Sequence, residues 1–113
     1  MVDIKIDSSG AFPIARVTGE LAGSGNEGFV EDLHPLVCSD GAKVVLELSG
    51  VSMVDSSGLS SIMNLVSRAR LTQGTVVLVA PSPFVSGVFS ATRLDSWLDI
   101  CLTVEEAFAK LEA

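Results

Sequence analysis

Four consecutive residues, Asp55-Ser56-Ser57-Gly58, gather two hydroxyls and a carboxylate at one turn. They follow the apolar pair Met53-Val54 and precede apolar residues at helical spacing, so both serines fall at the start of a helix. One chemistry for a serine on such a turn is nucleophilic attack. The local pattern is not Gly-x-Ser-x-Gly, and the only histidine, His34, lies beside Pro35 in a segment expected to be solvated on that side, so serine hydrolase chemistry is disfavoured. The other reading is structural: Asp55 or Ser56 caps the helix, Ser57 caps or solvates it, and Gly58 permits the turn. A capping role and a functional role are compatible.

Other constellations carry less. The glycines between positions 19 and 28 match neither the dinucleotide fingerprint nor the P-loop, and no lysine follows them, so they read as turn residues. Glu20, Glu47 and Asp55 lack metal-ligand spacing, and Glu20 and Glu47 are expected at solvated strand ends. Cys38 and Cys101 sit among apolar residues without zinc spacing and are expected to be buried thiols rather than a bridge. No cofactor and no metal are expected.

The chain has 113 residues and a formal charge of −7, from 14 acidic and 7 basic residues. That length suits one domain, 1–113. Nucleic acid binding relies on cations that neutralise phosphates, and no basic cluster exceeds Arg68-Ala69-Arg70, so a nucleic acid partner is not expected. The longest apolar run, 76–80, is far short of the roughly 20 residues of a membrane helix, so no direct membrane insertion is expected. The alternating start Val2-Asp3-Ile4-Lys5-Ile6-Asp7 lacks the form of a secretory signal, and a cytoplasmic location is expected.

The elements that position the turn follow from periodicity. Ile4 and Ile6 mark a first strand and residues 12–18 a second, with Gly19-Glu20-Leu21-Ala22-Gly23 as a flexible turn. Asn26 is placed to cap a helix carrying Phe29, Val30, Leu33, Leu36 and Val37, which Pro35 should kink or end near His34. Residues 44–48 form a short, central strand, and Ser49-Gly50 reads as a turn. The helix after the serines should face inward with Leu59, Ile62, Met63, Val66 and Ala69, ending near Gln73-Gly74, while Leu65 projects outward. Residues 75–80 form a strand; Ser82 and Pro83 start a helix with Phe84, Val88 and Ala91; a last strand lies within 94–102. Thr103 and Glu106 form a capping box for a final helix with Val104, Ala107, Phe108 and Leu111 inward. Strands alternating with helices imply an α/β fold: a mostly parallel sheet of four to five strands, an antiparallel edge strand, and about four helices.

The run Val44-Val45-Leu46-Glu47-Leu48-Ser49-Gly50-Val51-Ser52-Met53-Val54-Asp55-Ser56-Ser57-Gly58-Leu59 resembles the signature of STAS domains, the fold of bacterial anti-sigma factor antagonists and of sulfate transporter tails. Gly19-Glu20-Leu21 and Thr103-Val104-Glu105-Glu106-Ala107 extend the resemblance to nearly the whole chain. Two positions depart from it: Ala22 stands where the family commonly has a partner-contacting aspartate, and Glu47 where it usually has aspartate.

The resemblance implies a non-enzymatic switch. Ser56, the hydroxyl directly after the aspartate, would be phosphorylated by an anti-sigma factor that is itself a serine kinase, with Ser57 as the fallback, and a serine phosphatase would reset it. Unphosphorylated, the chain would bind that anti-sigma factor and release a sigma factor for transcription. The expected contact residues are Glu20, Asp55, Ser56, Ser57, Gly58 and Leu59, with Leu65 beside them. The alternative is a non-switching STAS scaffold in a lipid ABC transporter or a stress-signalling complex.

Overall fold

The computed structural model describes residues 2–23 and 25–112. Five strands form one sheet in the order β1-β2-β3-β4-β5: β1 (Val2–Asp7), β2 (Ile14–Leu21), β3 (Lys43–Val54), β4 (Thr75–Val79) and β5 (Asp99–Cys101). β1 is antiparallel to β2, and every later pairing is parallel. Helix α1 (Gly25–Val37) links β2 to β3, α2 (Ser56–Leu71) links β3 to β4, and α3 (Pro83–Ala91) with a 3-10 turn (Leu94–Ser96) links β4 to β5. Each parallel strand is added beside the last in one direction, so crossovers of a single hand lay α1, α2 and α3 on the same face. The last helix, α4 (Val104–Glu112), covers the other face.

The strands divide their side chains accordingly. Val44, Leu46 and Leu48 of β3 and Val76 and Leu78 of β4 point into the large core with Phe29, Leu33, Ile62, Leu65 and Phe89. Val45, Val77 and Val79 point the other way and meet Ala107 and Leu111 of α4. A central parallel strand is buried on both faces, which is why 44–48 and 75–79 read as unbroken apolar runs.

Several elements correct the expectations from sequence. Gly19-Glu20-Leu21 is not a free turn but the end of β2, and β3 runs for 12 residues straight through Ser49-Gly50. Two register shifts between β2 and β3, at Arg16/Thr18 and Gly19/Glu20, absorb the extra β3 residues. Gly50 serves a close approach instead of a turn, because a Cβ there would lie 2.5 Å from Thr18 Cγ2. Pro35 does not end α1 at His34, since the fully buried Val37 holds the last turn against the core.

The phase of α2 also differs. Leu65 is 1% exposed, enclosed in the core that α1 and the sheet share, whereas Met63 is 36% exposed. Neighbouring α1 covers the flank that carries Leu65, so Gly58, Ile62, Leu65, Val66 and Ala69 form the buried stripe. In α3 the inward pair is Val85 and Phe89; Phe84 is exposed, Ala91 is exposed and Val88 is half-buried. The expected last strand shortens to three residues, and Leu102 lies outside it, exposed. Cys38 is an exposed free thiol and Cys101 a half-buried one, so neither is fully buried and neither is bridged.

The helix ends follow local chemistry. Ser82 caps α3, accepting from the Val85 amide at 3.4 Å, with Pro83 as the first helical residue. Thr103 Oγ1 accepts from the Glu106 amide at 3.2 Å, while the Glu106 carboxylate accepts from the Leu102 amide at 3.1 Å. α2 ends with Gln73 in the left-handed region (φ 65), the Gly74 amide reaching Ala69 O at 2.7 Å and the Gln73 amide reaching Arg70 O at 3.3 Å. Among the described residues no helix is long and apolar enough to cross a membrane.

Candidate functional site

The serine turn lies where β2 and β3 finish and α1 and α2 begin. Asp55 follows the last residue of β3 in extended conformation (φ −96, ψ −175) and is the N-cap of α2. Its amide donates to Leu21 O at 3.2 Å, which ties the ends of the two strands together. Asp55 Oδ1 accepts from the Gly58 amide at 2.8 Å and from Ser57 Oγ at 2.7 Å, and Oδ2 accepts from the Gly23 amide at 3.2 Å. One carboxylate thereby satisfies donors from the helix start and from the β2–α1 loop.

The hydroxyl of Ser57 and the Gly58 amide hold the Asp55 carboxyl below the ordinary carboxylate range, against a smaller opposing effect of partial burial. Ser57 Oγ in turn accepts from Asn26 Nδ2 at 2.7 Å, and the same Nδ2 donates to Gly23 O at 2.9 Å. Gly23 O can only accept, so the amide nitrogen of Asn26 must face it, and Oδ1 is left buried without a partner among the described residues. Such a group costs about 1–3 kcal/mol when it stays unpaired.

The two serines therefore differ in kind. Ser57 is exposed but engaged as both donor and acceptor. Ser56, the first residue of α2, is exposed, and its hydroxyl makes no hydrogen bond with any described residue. Ser56 directly follows Asp55, whose carboxylate already accepts from the Gly58 amide at the start of α2.

Of the other expected contact residues, Glu20 is exposed near the end of β2, in register with Met53. Leu59 is half-buried and packs on the large core. Gly58 and Leu65 are buried, so their side of α2 offers nothing to a docking protein. A Cβ on Gly58 would overlap the Leu21 carbonyl oxygen, which makes this glycine a requirement of the β2–α2 contact. Asn26 and Gly23 complete the site without having been read as part of it: Asn26 is the second residue of α1, not its cap. A polar residue capable of donating twice, set in a glycine-rich loop, was the available signal.

The sheet order, the antiparallel first strand and the hydroxyl-bearing turn at the head of α2 define a STAS-type α/β fold. The chain belongs to the STAS domain family, which matches residues 3–107. It is 34% identical over 70 residues to a Thermotoga neapolitana protein named as an anti-sigma factor antagonist homologue, a match spanning 62% of each chain. A crystal structure from Thermotoga maritima, described as an anti-sigma factor antagonist, superposes with TM-score 0.81 at 26% identity over 98% of this chain and 94% of that one. SpoIIAA in its unphosphorylated form shares the fold at TM-score 0.78 and 23% identity, covering 97% of this chain and 96% of its own. The phosphorylated form of Bacillus SpoIIAA superposes at 0.70 with 20% identity, over 96% and 99%.

Proposed function

We propose that this chain is a cytoplasmic, non-catalytic anti-sigma factor antagonist, a STAS domain over 1–113 whose switch is phosphorylation of Ser56. The observation that carries the reading is the contrast at the turn: Ser56 is exposed and its hydroxyl is uncommitted among the described residues, while Ser57 Oγ is held by Asp55 and Asn26. The names of its Thermotoga relatives and the two forms of SpoIIAA support the same role. The partners proposed are an anti-sigma factor with serine kinase activity, which phosphorylates Ser56, and a serine phosphatase, which resets it. Exposed Glu20, Ser56 and Ser57, half-buried Asp55 and the accessible edge of Leu59 form the proposed contact.

The physics of the switch is local. A phosphate adds about −1.5 to −2 charges beside Asp55 on a chain that already carries −7. Ser56 is exposed and its hydroxyl makes no hydrogen bond with any described residue, so a phosphate there is taken up by water in the free protein and the fold persists. A docking protein must desolvate it or set it against like charge, and each 1.4 kcal/mol of that cost weakens binding about tenfold. Ala22, which replaces the family's usual acidic residue, removes one charged contact from the rim.

The test is phosphoserine mapping on protein isolated from its own cell, together with Ser56 variants. The phosphate is expected on Ser56. Ser56→Asp should bind the anti-sigma factor at least about tenfold more weakly than wild type yet unfold within about 0.5 kcal/mol of it. Ser56→Ala should bind and resist release. Absence of phosphoserine, with a stable complex with a transporter ATPase, would replace the switch by the scaffold reading.

A further inference from the structure

Among the described residues β1 is hydrogen-bonded to β2 on one side only, and its other side is the open edge of the sheet. Its residues alternate in facing. Val2 and Ile4 lie against the large core, and Ile6, on the same face, is 45% exposed. Asp3, Lys5 and Asp7 take the opposite face. Asp7 is committed, accepting from the Ser9 amide at 3.0 Å and the Ser9 hydroxyl at 2.6 Å and pairing with Arg16 Nη1 at 3.7 Å. Asp3 and Lys5 have no ion-pair partner among the described residues, and Lys5 stands directly opposite Arg16 in the β1–β2 ladder. Like charges in that position are unfavourable.

We infer that this edge pairs with a second copy of the chain, β1 adding antiparallel to β1 with Ile4 opposite Ile4. Only that register resolves every feature of the strand. A shift by one residue sets apolar side chains opposite charged ones. A shift by two puts Asp3 opposite Asp3 or Lys5 opposite Lys5, and a shift by four leaves little overlap. With Ile4 on the two-fold axis, Asp3 of each copy faces Lys5 of the other, which gives two ion pairs. Val2 of each copy faces Ile6 of the other and covers it. Each Lys5 then gains a carboxylate on the side away from Arg16. The interface is isologous and joins the two sheets into one of ten strands. Five residue pairs bury less than a standard interface, so the association is weak and concentration-dependent.

Sedimentation equilibrium of the full chain from about 10 µM to 1 mM tests the pairing. Wild type should be in monomer–dimer exchange across that range. Lys5→Asp and Asp3→Lys should each raise the dissociation constant at least about tenfold, because each turns two attractive pairs into two repulsive ones. The double variant Asp3→Lys/Lys5→Asp should return it to within about threefold of wild type. Lys5→Asp replaces a like-charge neighbour of Arg16 by an opposite one, so it should melt no lower than wild type and its loss of association is not loss of fold. A wild type monomeric up to 1 mM, dimerisation indifferent to the single changes, or a double variant that stays monomeric would each overturn the inference.

Discussion

Replacing Gly58 by alanine sets two effects against each other whose difference the structure decides. Gly58 is the third residue of α2, and alanine there gains about 1 kcal/mol in helix propensity and unfolded-state entropy. Against this, the added methyl would overlap the Leu21 carbonyl oxygen and sit 2.9 Å from the Leu21 carbonyl carbon and 3.0 Å from Leu21 Cβ. These are backbone and near-backbone atoms of a buried strand end, so relief requires the head of α2 to move away from β2. Overpacking of that kind costs about 1–3 kcal/mol. The same movement strains the Asp55 amide bond to Leu21 O and the Asp55–Gly23 and Ser57–Asn26 bonds, each worth about 1 kcal/mol. The net expectation for Gly58→Ala is a loss of about 2–4 kcal/mol. Gly87→Ala, in α3, is the matched control, since a Cβ there has nothing within 4 Å and should yield a gain of about 0.5–1 kcal/mol. Urea unfolding at 25 °C, followed by circular dichroism with m-values compared, reads both. A Gly58→Ala variant within 0.5 kcal/mol of wild type, or stabilised like Gly87→Ala, would refute the close-approach argument.

Ser57→Ala should cost about 1–2 kcal/mol because it leaves Asn26 Nδ2 with Gly23 O as its remaining partner and removes a donor to Asp55, whereas Ser56→Ala should stay within about 0.5 kcal/mol; chemical denaturation separates the two. Asp55 has a folded pKa below its ordinary value, so its ionised form stabilises the fold above that value, and this is lost as pH falls through the folded pKa. The melting-temperature gap between wild type and Asp55→Asn should therefore be widest at neutral pH and close below about pH 4. A gap that widens in acid would contradict the hydrogen-bonding assigned to this carboxylate.

The order of strands and helices, the antiparallel edge and the serine turn were legible because each rests on local chemistry. An apolar run marks β4, Ser82-Pro83 marks the start of α3, and Thr103 with Glu106 marks α4. What escaped was set by neighbours in space. Apolar residues on α2 extend over more than one stripe, so the choice between Met63 and Leu65 belongs to α1, which covers Leu65. Gly50 has the composition of a turn, and only the proximity of Thr18 shows it to be a crossing point within a continuous strand. Asn26 looked like a cap because asparagine favours that position, yet its partners are Gly23 and a serine 31 residues further along the chain. At the turn itself, only the family resemblance ranked Ser56 ahead of Ser57, and the hydrogen bonds add a physical difference between them.

The back of the sheet depends on α4, a nine-residue helix whose inward anchors are Ala107 and Leu111. Beneath it lie Val45, Val77 and Val79 on adjacent strands, with half-buried Glu47 opposite Val79 at one border of the patch. Fraying of that helix by a turn or two would bare these β-branched side chains to water, with the charge of Glu47 at their border as the remaining guard against another chain's strand. Lys43 Nζ, donating to the carbonyl of Leu111 at 2.7 Å, is thus a latch at the far end of the helix. That latch and the Thr103 cap at the opposite end hold both ends of the helix over the sheet.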